Sequence, residues 1–161
     1  MHQLSLCTAF LSALSFTFTT WPAPRTVQAA LPPEASSVEA LFEADRAFAV
    51  DSSIDRLEGW VSWFDERGVR MPMSGDCAQG RAAIRKADMG IWGDTGLELR
   101  WDPEVGGVIA DGELGFTRGR YELVKIADEG DKVVGVGTYF SIWRWTDAGW
   151  KVALDGGVAD A

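Results

Sequence analysis

Residues 139–155 read YFSIWRWTDAGWKVALD, with Tyr139, Phe140, Trp143, Trp145 and Trp150 in one short stretch and an acid at its end. Thr146-Asp147-Ala148-Gly149 is a tight-turn signal, so the stretch divides into two runs joined as a β-hairpin. Strand alternation puts Tyr139, Ser141, Trp143 and Trp145 on one face and Phe140, Ile142 and Arg144 on the other. Both faces carry apolar bulk, which predicts a central strand covered on both sides. In the second run Trp150, Val152 and Leu154 share a face, and Lys151, Ala153 and Asp155 share the opposite one. Register decides which of the two looks inward, and alternation alone leaves that open. The aromatic groups beside Asp155 read either as ordinary sheet packing or as the wall of a cavity with an acid at its edge.

Working outward from this hairpin, three more runs have strand character. LELRWDPEVGGVIA (97–110) is a long strand bent near Pro103 and Gly106-Gly107. LGFTRGRYELVKI (114–126) follows the Asp111-Gly112 turn, and KVVGVGTYFSIWRW (132–145) follows the turn ADEGD. The chain ahead of them is helical in spacing. ASSVEALFEADRAFAVD (35–51) has Ser36 and Glu39 placed as a capping box, and Val38, Leu41, Phe42, Phe48 and Ala49 form its apolar face. SSIDRLEGWVSWFDERG (52–68) reads as a second helix from Ser53 to Gly68, and RAAIRKADMGIW (81–92) as a third. Between these two, VRMPM is a short strand around Pro72, at a sheet edge or a bulge. Helices first and hairpin-linked strands afterwards predict an α+β fold, an antiparallel sheet covered on one face by helices. The other sheet face then needs a partner, which predicts a homodimer.

The 161 residues suffice for one domain with a real core, and 47% hydrophobic with 24% charged residues is an ordinary globular composition. A net charge of −9 without a basic cluster argues against nucleic acid or an anionic membrane surface as partner. Leu4–Phe18 is apolar, uncharged and of signal-core length, and Val27-Gln28-Ala29 places small residues where a signal peptidase reads. The residues ahead of the apolar run carry no Lys or Arg, a departure from the usual pattern. The reading is a signal peptide over 1–29 and a periplasmic or secreted protein. Its removal takes away His2 and Cys7, leaves Cys77 alone, and hands any proton chemistry to Asp, Glu, Tyr or Lys.

Asp45 interrupts the apolar stripe of the first helix, four residues after Leu41 and three before Phe48. An acid there is either a structural ion pair or cap, or a carboxylate facing a cavity. Trp60 and Phe64 lie on the apolar face of the second helix, where core packing is the plainer reading and ligand contact the sharper one. Arg118, Arg120 and Glu122 share one strand face as an ion-paired strip, or as a holder for a carboxylated ligand. No stretch has calcium-loop spacing, and no glycine-rich phosphate loop joins a strand to a helix, so no metal and no cofactor are expected.

Three segments carry a resemblance: VRMPMSGDCAQGRAAIR, GELGFTRGRYEL and GTYFSIWRWTDAGWKVALDGG. They resemble the SnoaL-like, ketosteroid-isomerase-like branch of the nuclear transport factor 2-like superfamily, whose similar members include exported bacterial proteins of unknown function. The resemblance spans 38–157 and divides the chain into a signal peptide (1–29), a linker (30–37), one domain (38–157) and a tail (158–161). It implies a cone-shaped curved antiparallel sheet with three N-terminal helices on one face, an apolar pocket, and dimers through the sheet. It also implies that Asp45 looks into the pocket, that Asp155 lies near its rim or interior, and that Trp101, Tyr121, Tyr139 and Trp143 are wall residues, with Trp60 and Phe64 as further contacts. Two functions follow from this picture. One is an exported protein binding a small hydrophobic molecule. The other is a cofactor-free enzyme of isomerase, cyclase or dehydratase type, with Asp45 or Asp155 as general base and Tyr121 or Tyr139 donating to a developing oxyanion. A purely structural association module is a third possibility, made less attractive by the lack of a partner domain on the chain.

Overall fold

The computed structural model describes residues 37–72, 75–93, 96–109 and 112–160; the stretch expected to be a signal peptide and Ser36 lie outside them. The first helix, α1, runs Val38–Ser62 and is capped by Ser37, whose hydroxyl accepts from the Ala40 N–H at 3.0 Å. The first two predicted helices are joined in α1, which is kinked at Arg56 (φ 54°, ψ −126°). The chain doubles back so tightly there that a Cβ on Gly59 would lie 2.1 Å from the Asp51 carbonyl oxygen, and the Trp63 indole closes the bend onto Asp51 Oδ2 at 2.8 Å. Among the described residues the helix count is thus two rather than three.

The predicted second helix also stops six residues early, because Phe64–Met71 is a strand, β1. Asp65 accepts from the Arg67 N–H at 2.8 Å, a local bond that competes with helix. The Val152 N–H donates to the Trp63 carbonyl at 2.9 Å, drawing the segment alongside the last strand. After β2 (Ala78–Gln79) comes α2 (Arg81–Trp92), then β3 (Leu97–Ile109), β4 (Leu114–Lys125), β5 (Lys132–Thr146) and β6 (Gly149–Ala159). The last strand reaches two residues into the stretch read as a tail. The six strands form one sheet in the order β2-β1-β6-β5-β4-β3, antiparallel except for the β1–β6 pair, which is parallel.

Both helices pack on the same sheet face, where Phe48 sits at the centre of an aromatic core. Its ring stacks on Trp60 at 4.7 Å and meets Trp101 and Trp143 edge-on at 5.0 and 6.0 Å. On β5, Trp143 (0% exposed) faces this core, while Phe140 and Ile142 (40% and 39%) look outward. Phe140 and Ile142 pair with Arg118 and Phe116 of β4, so the outward face carries an apolar surface among charges.

A bulge in β6 resolves the ambiguity of the final strand. Trp143 pairs with Val152, but Ile142 pairs with Leu154 and Ser141 with Asp155, leaving Ala153 without a partner. The extra residue reverses the alternation. Val152 and Asp155, expected on opposite faces, both point to the helix side, and Leu154 turns outward beside Ile142.

Candidate functional site

A cavity of about 60 Å³ lies between α2 and the helix-side face of the sheet. Its body is aromatic: Trp60 from α1, Trp101 from β3, Tyr121 from β4 and Tyr139 from β5. Half-buried Ile91, Leu99 and Leu123 add apolar wall, and Arg70 and Asp155 supply charge. The volume is well below the ~300–1,000 Å³ of sites for drug-sized ligands, so it suits a small molecule or one end of a longer one. Gly137 is part of the construction, since a Cβ there would lie 2.5 Å from the Tyr121 hydroxyl oxygen.

Asp155 reaches this wall through the β6 bulge and is 5% exposed. Its Oδ2 accepts from the Ser141 hydroxyl at 2.8 Å, and its Oδ1 is 3.2 Å from Arg70 Nη1. Burial pushes its pKa up to about 6 against the lowering effect of Arg70 and Ser141; Asp88 and Asp45 add to the rise. Arg70 is shared. Its Nε lies 3.4 Å from Asp88 Oδ2, close enough for charge attraction but not aligned as a hydrogen bond, and its guanidinium lies 5.7 Å from the Trp60 ring centroid. The Trp60 indole N–H donates to the same Asp88 oxygen at 2.8 Å. Burial raises the Asp88 pKa too, opposed by Arg70 and Trp60.

Asp45 (0% exposed) lies one layer behind the wall. Its Oδ1 accepts from the Trp101 indole and its Oδ2 from the Tyr139 hydroxyl, each at 2.8 Å. The Thr117 hydroxyl, which accepts from the Trp143 indole at 2.8 Å, also favours the charged carboxylate. No cation pairs with Asp45 among the described residues. Desolvation dominates, and its pKa is raised despite these three neutral donors. Burial, and then the neighbouring Asp45 charge, hold the Tyr139 phenol far above its ordinary range.

The structure therefore gathers Trp60, Trp101, Tyr121, Tyr139 and Asp155 around one cavity. Asp45 touches that cavity only through Trp101 and Tyr139, which departs from the cavity-facing orientation expected of it. Phe64 and Trp143 are wholly buried in the core and are not part of the wall. Arg118 and Arg120 lie on the outward sheet face, paired with Glu104 and Asp160. Among the described residues no His, Cys, Asp or Glu side chains converge as a metal site. Sequence reasoning missed Asp88, although Ile84, Asp88 and Trp92 repeat the acid-in-apolar-stripe signal that marked Asp45. It also missed Arg70, whose strand was read only as a short one at an edge or a bulge.

No family model matches the sequence, and no curated protein matches it. Solved structures do. A nuclear transport factor 2-like protein with a cystatin-like fold from Novosphingobium aromaticivorans superposes with a TM-score of 0.61 at 20% identity, over 75% of this chain and 80% of that one. This is the nuclear transport factor 2-like fold. A ketosteroid isomerase-like protein from Erwinia carotovora atroseptica shares it with a TM-score of 0.61 at 14% identity, over 81% of this chain and 99% of that one. So does a protein of unknown function from Mycobacterium tuberculosis, at 0.62 and 22%, over 83% and 78%. At these identities the likeness is one of the nuclear transport factor 2-like fold, and the chemistry rests on this chain's own residues.

Proposed function

We propose that this protein binds a small, largely apolar molecule in the aromatic cavity, and that it does so as an exported homodimer. The observation that carries the binding reading is Asp155, a buried carboxylate that stands with Arg70 on a wall otherwise made of indole, phenol and aliphatic groups. Apolar walls with one or two convergent polar groups are the usual composition of a ligand site. Export rests on the Leu4–Phe18 run and the Val27-Gln28-Ala29 signal, and dimerisation on the apolar outward face of β4 and β5. Trp60 and Trp101 make the cavity self-reporting. Titration of the protein with small aromatic and alicyclic compounds should produce saturable changes in tryptophan fluorescence, and Trp101→Phe should remove most of the signal. A panel that gives no saturable change in fluorescence or in calorimetric heat rejects the binding reading.

A second reading, cofactor-free proton transfer, is favoured by one observation. A carboxyl with a pKa of about 6, at the wall of an apolar cavity, is matched to general acid–base work near neutral pH. In this reading Asp155 exchanges a proton with the bound molecule, Arg70 steadies its charged form, and Tyr121 polarises an oxygen. The neighbour described as ketosteroid isomerase-like is compatible with it. Deuterium exchange into carbonyl compounds that bind, lost in Asp155→Asn with binding retained, tests it; exchange at the same rate in the variant rejects it.

A further inference from the structure

Four of the side-chain hydrogen-bond donors around the cavity are held by acids. The Trp60 indole N–H is engaged by Asp88, the Trp101 indole and the Tyr139 hydroxyl by Asp45, and the Ser141 hydroxyl by Asp155. Arg70 Nη1 donates to the Met71 carbonyl at 2.9 Å, and the guanidinium is flanked by two acids. Acceptor capacity remains on the same wall. Each carboxylate oxygen of Asp155 has room for a second bond, and the Tyr139 oxygen keeps its lone pairs after donating. Three buried acids, Asp45, Asp88 and Asp155, surround one buried cation, so an anionic ligand adds repulsion and a cation relieves it. Two indole and two phenol rings complete a wall of the kind that favours a positive charge.

We propose that the cavity recognises a protonated amine, its ammonium group against Asp155 and among the Trp60, Trp101, Tyr121 and Tyr139 rings, with an apolar body leaving past Ile91, Leu99 and Leu123. This rests on the binding reading above and names the class of ligand. The groups that set the charge at Asp155 are Arg70 of β1, Ser141 of β5, Asp88 of α2 and Asp45 of α1, and the titratable Tyr121 of β4 and Tyr139 of β5 share its wall. Because burial already favours a protonated Asp155, an ammonium ion displaces that proton, and binding is linked to pH.

The test uses three probes of similar size and different charge: phenethylammonium, 2-phenylethanol and phenylacetate. Calorimetry on the full chain at pH 7.5 should give an amine affinity at least tenfold tighter than the alcohol, with no measurable binding of phenylacetate. Lowering the pH below about 6 should weaken the amine by about tenfold per unit and leave the alcohol unchanged. In Asp155→Asn the amine should fall to the level of the alcohol. Should that variant not fold, the pH series on the wild type still decides. Equal affinities for amine and alcohol, or binding of phenylacetate as tight as the amine, overturn the ammonium assignment while leaving a ligand cavity. Failure of all three probes to bind overturns both readings.

Discussion

The Asp155→Asn variant also tests the charge state of the site without any ligand. In the folded chain the Asp155 carboxyl is held at about 6, against an ordinary value of 3.8. An acid with a raised folded pKa binds its proton more tightly in the native state. Its contribution to stability is therefore greatest below the unfolded pKa, falls as pH rises between the two values, and levels off above the folded one. At 1.36 kcal/mol per unit, the displacement corresponds to about 3 kcal/mol lost between roughly pH 4 and pH 6. Asp45 and Asp88, also raised, slope the same way. The acids with lowered values, Asp65 and Asp160, slope oppositely but act below about pH 4, outside this window. Asparagine can keep both contacts at position 155, its oxygen accepting from Arg70 and its amide donating to the Ser141 oxygen. Urea unfolding of wild type and variant at half-unit steps from pH 4 to 8 gives the two profiles. The wild type should lose stability across the window, and the variant's decline should be shallower by up to about 3 kcal/mol. Superimposable profiles, or a wild type that gains stability from pH 4 to 6, would refute the assignment of Asp155 as a buried acid opposed by too little positive charge.

Removing the Asp45 carboxylate by Asp45→Ala leaves the Trp101 and Tyr139 donors unmet in the interior, so thermal unfolding should show a loss of about 2–4 kcal/mol; unchanged stability would mean the acid serves no structural role. Tyr139→Phe removes only the donor to Asp45 and should cost about 1 kcal/mol in the same assay, with the Asp45 NMR titration moving upward. If two copies meet through the outward sheet face, Phe140→Asp should halve the mass seen by light scattering at micromolar concentration, whereas a wild-type monomer would exclude that interface. Intact-mass analysis of protein recovered from the periplasm or medium should give an N-terminus at Ala30, and retention of Met1 in cytosolic protein would dismiss the signal peptide.

Much of the fold was legible because its signals are local. Turn residues and period-two alternation placed the four long strands to within a few residues, and the apolar stripes placed the helices. What the sequence concealed depends on partners distant in the chain. Residues 64–68 looked helical because Trp60, Val61 and Phe64 have helical spacing; only the parallel pairing with β6 joins that segment to the strand read at residues 69–71. Asp45 was conspicuous within its stripe, but its role was not, because the donors that surround it come from positions 101, 117 and 139. Asp88 was visible by the same spacing, whereas Arg70 acquires meaning only when α2 and β6 bring an acid to each side of it.

The unpaired Ala153 gives the site an unusual vulnerability. The face on which Asp155 stands is fixed by the bulge at that one residue, so a regular ladder with Ala153 opposite Ile142 would restore simple alternation. Leu154 would then turn inward and carry an aliphatic group to the helix side of the strand. Asp155 would follow it out of step and leave Arg70 with Asp88 alone. Every side chain would still be present in the gene, and a comparison of residue identities would register almost no change. In this scaffold the gain or loss of a buried charge is therefore a matter of how one strand is paired, and relatives with the same residues over 150–155 but a regular ladder should be expected to differ in what their cavities accept.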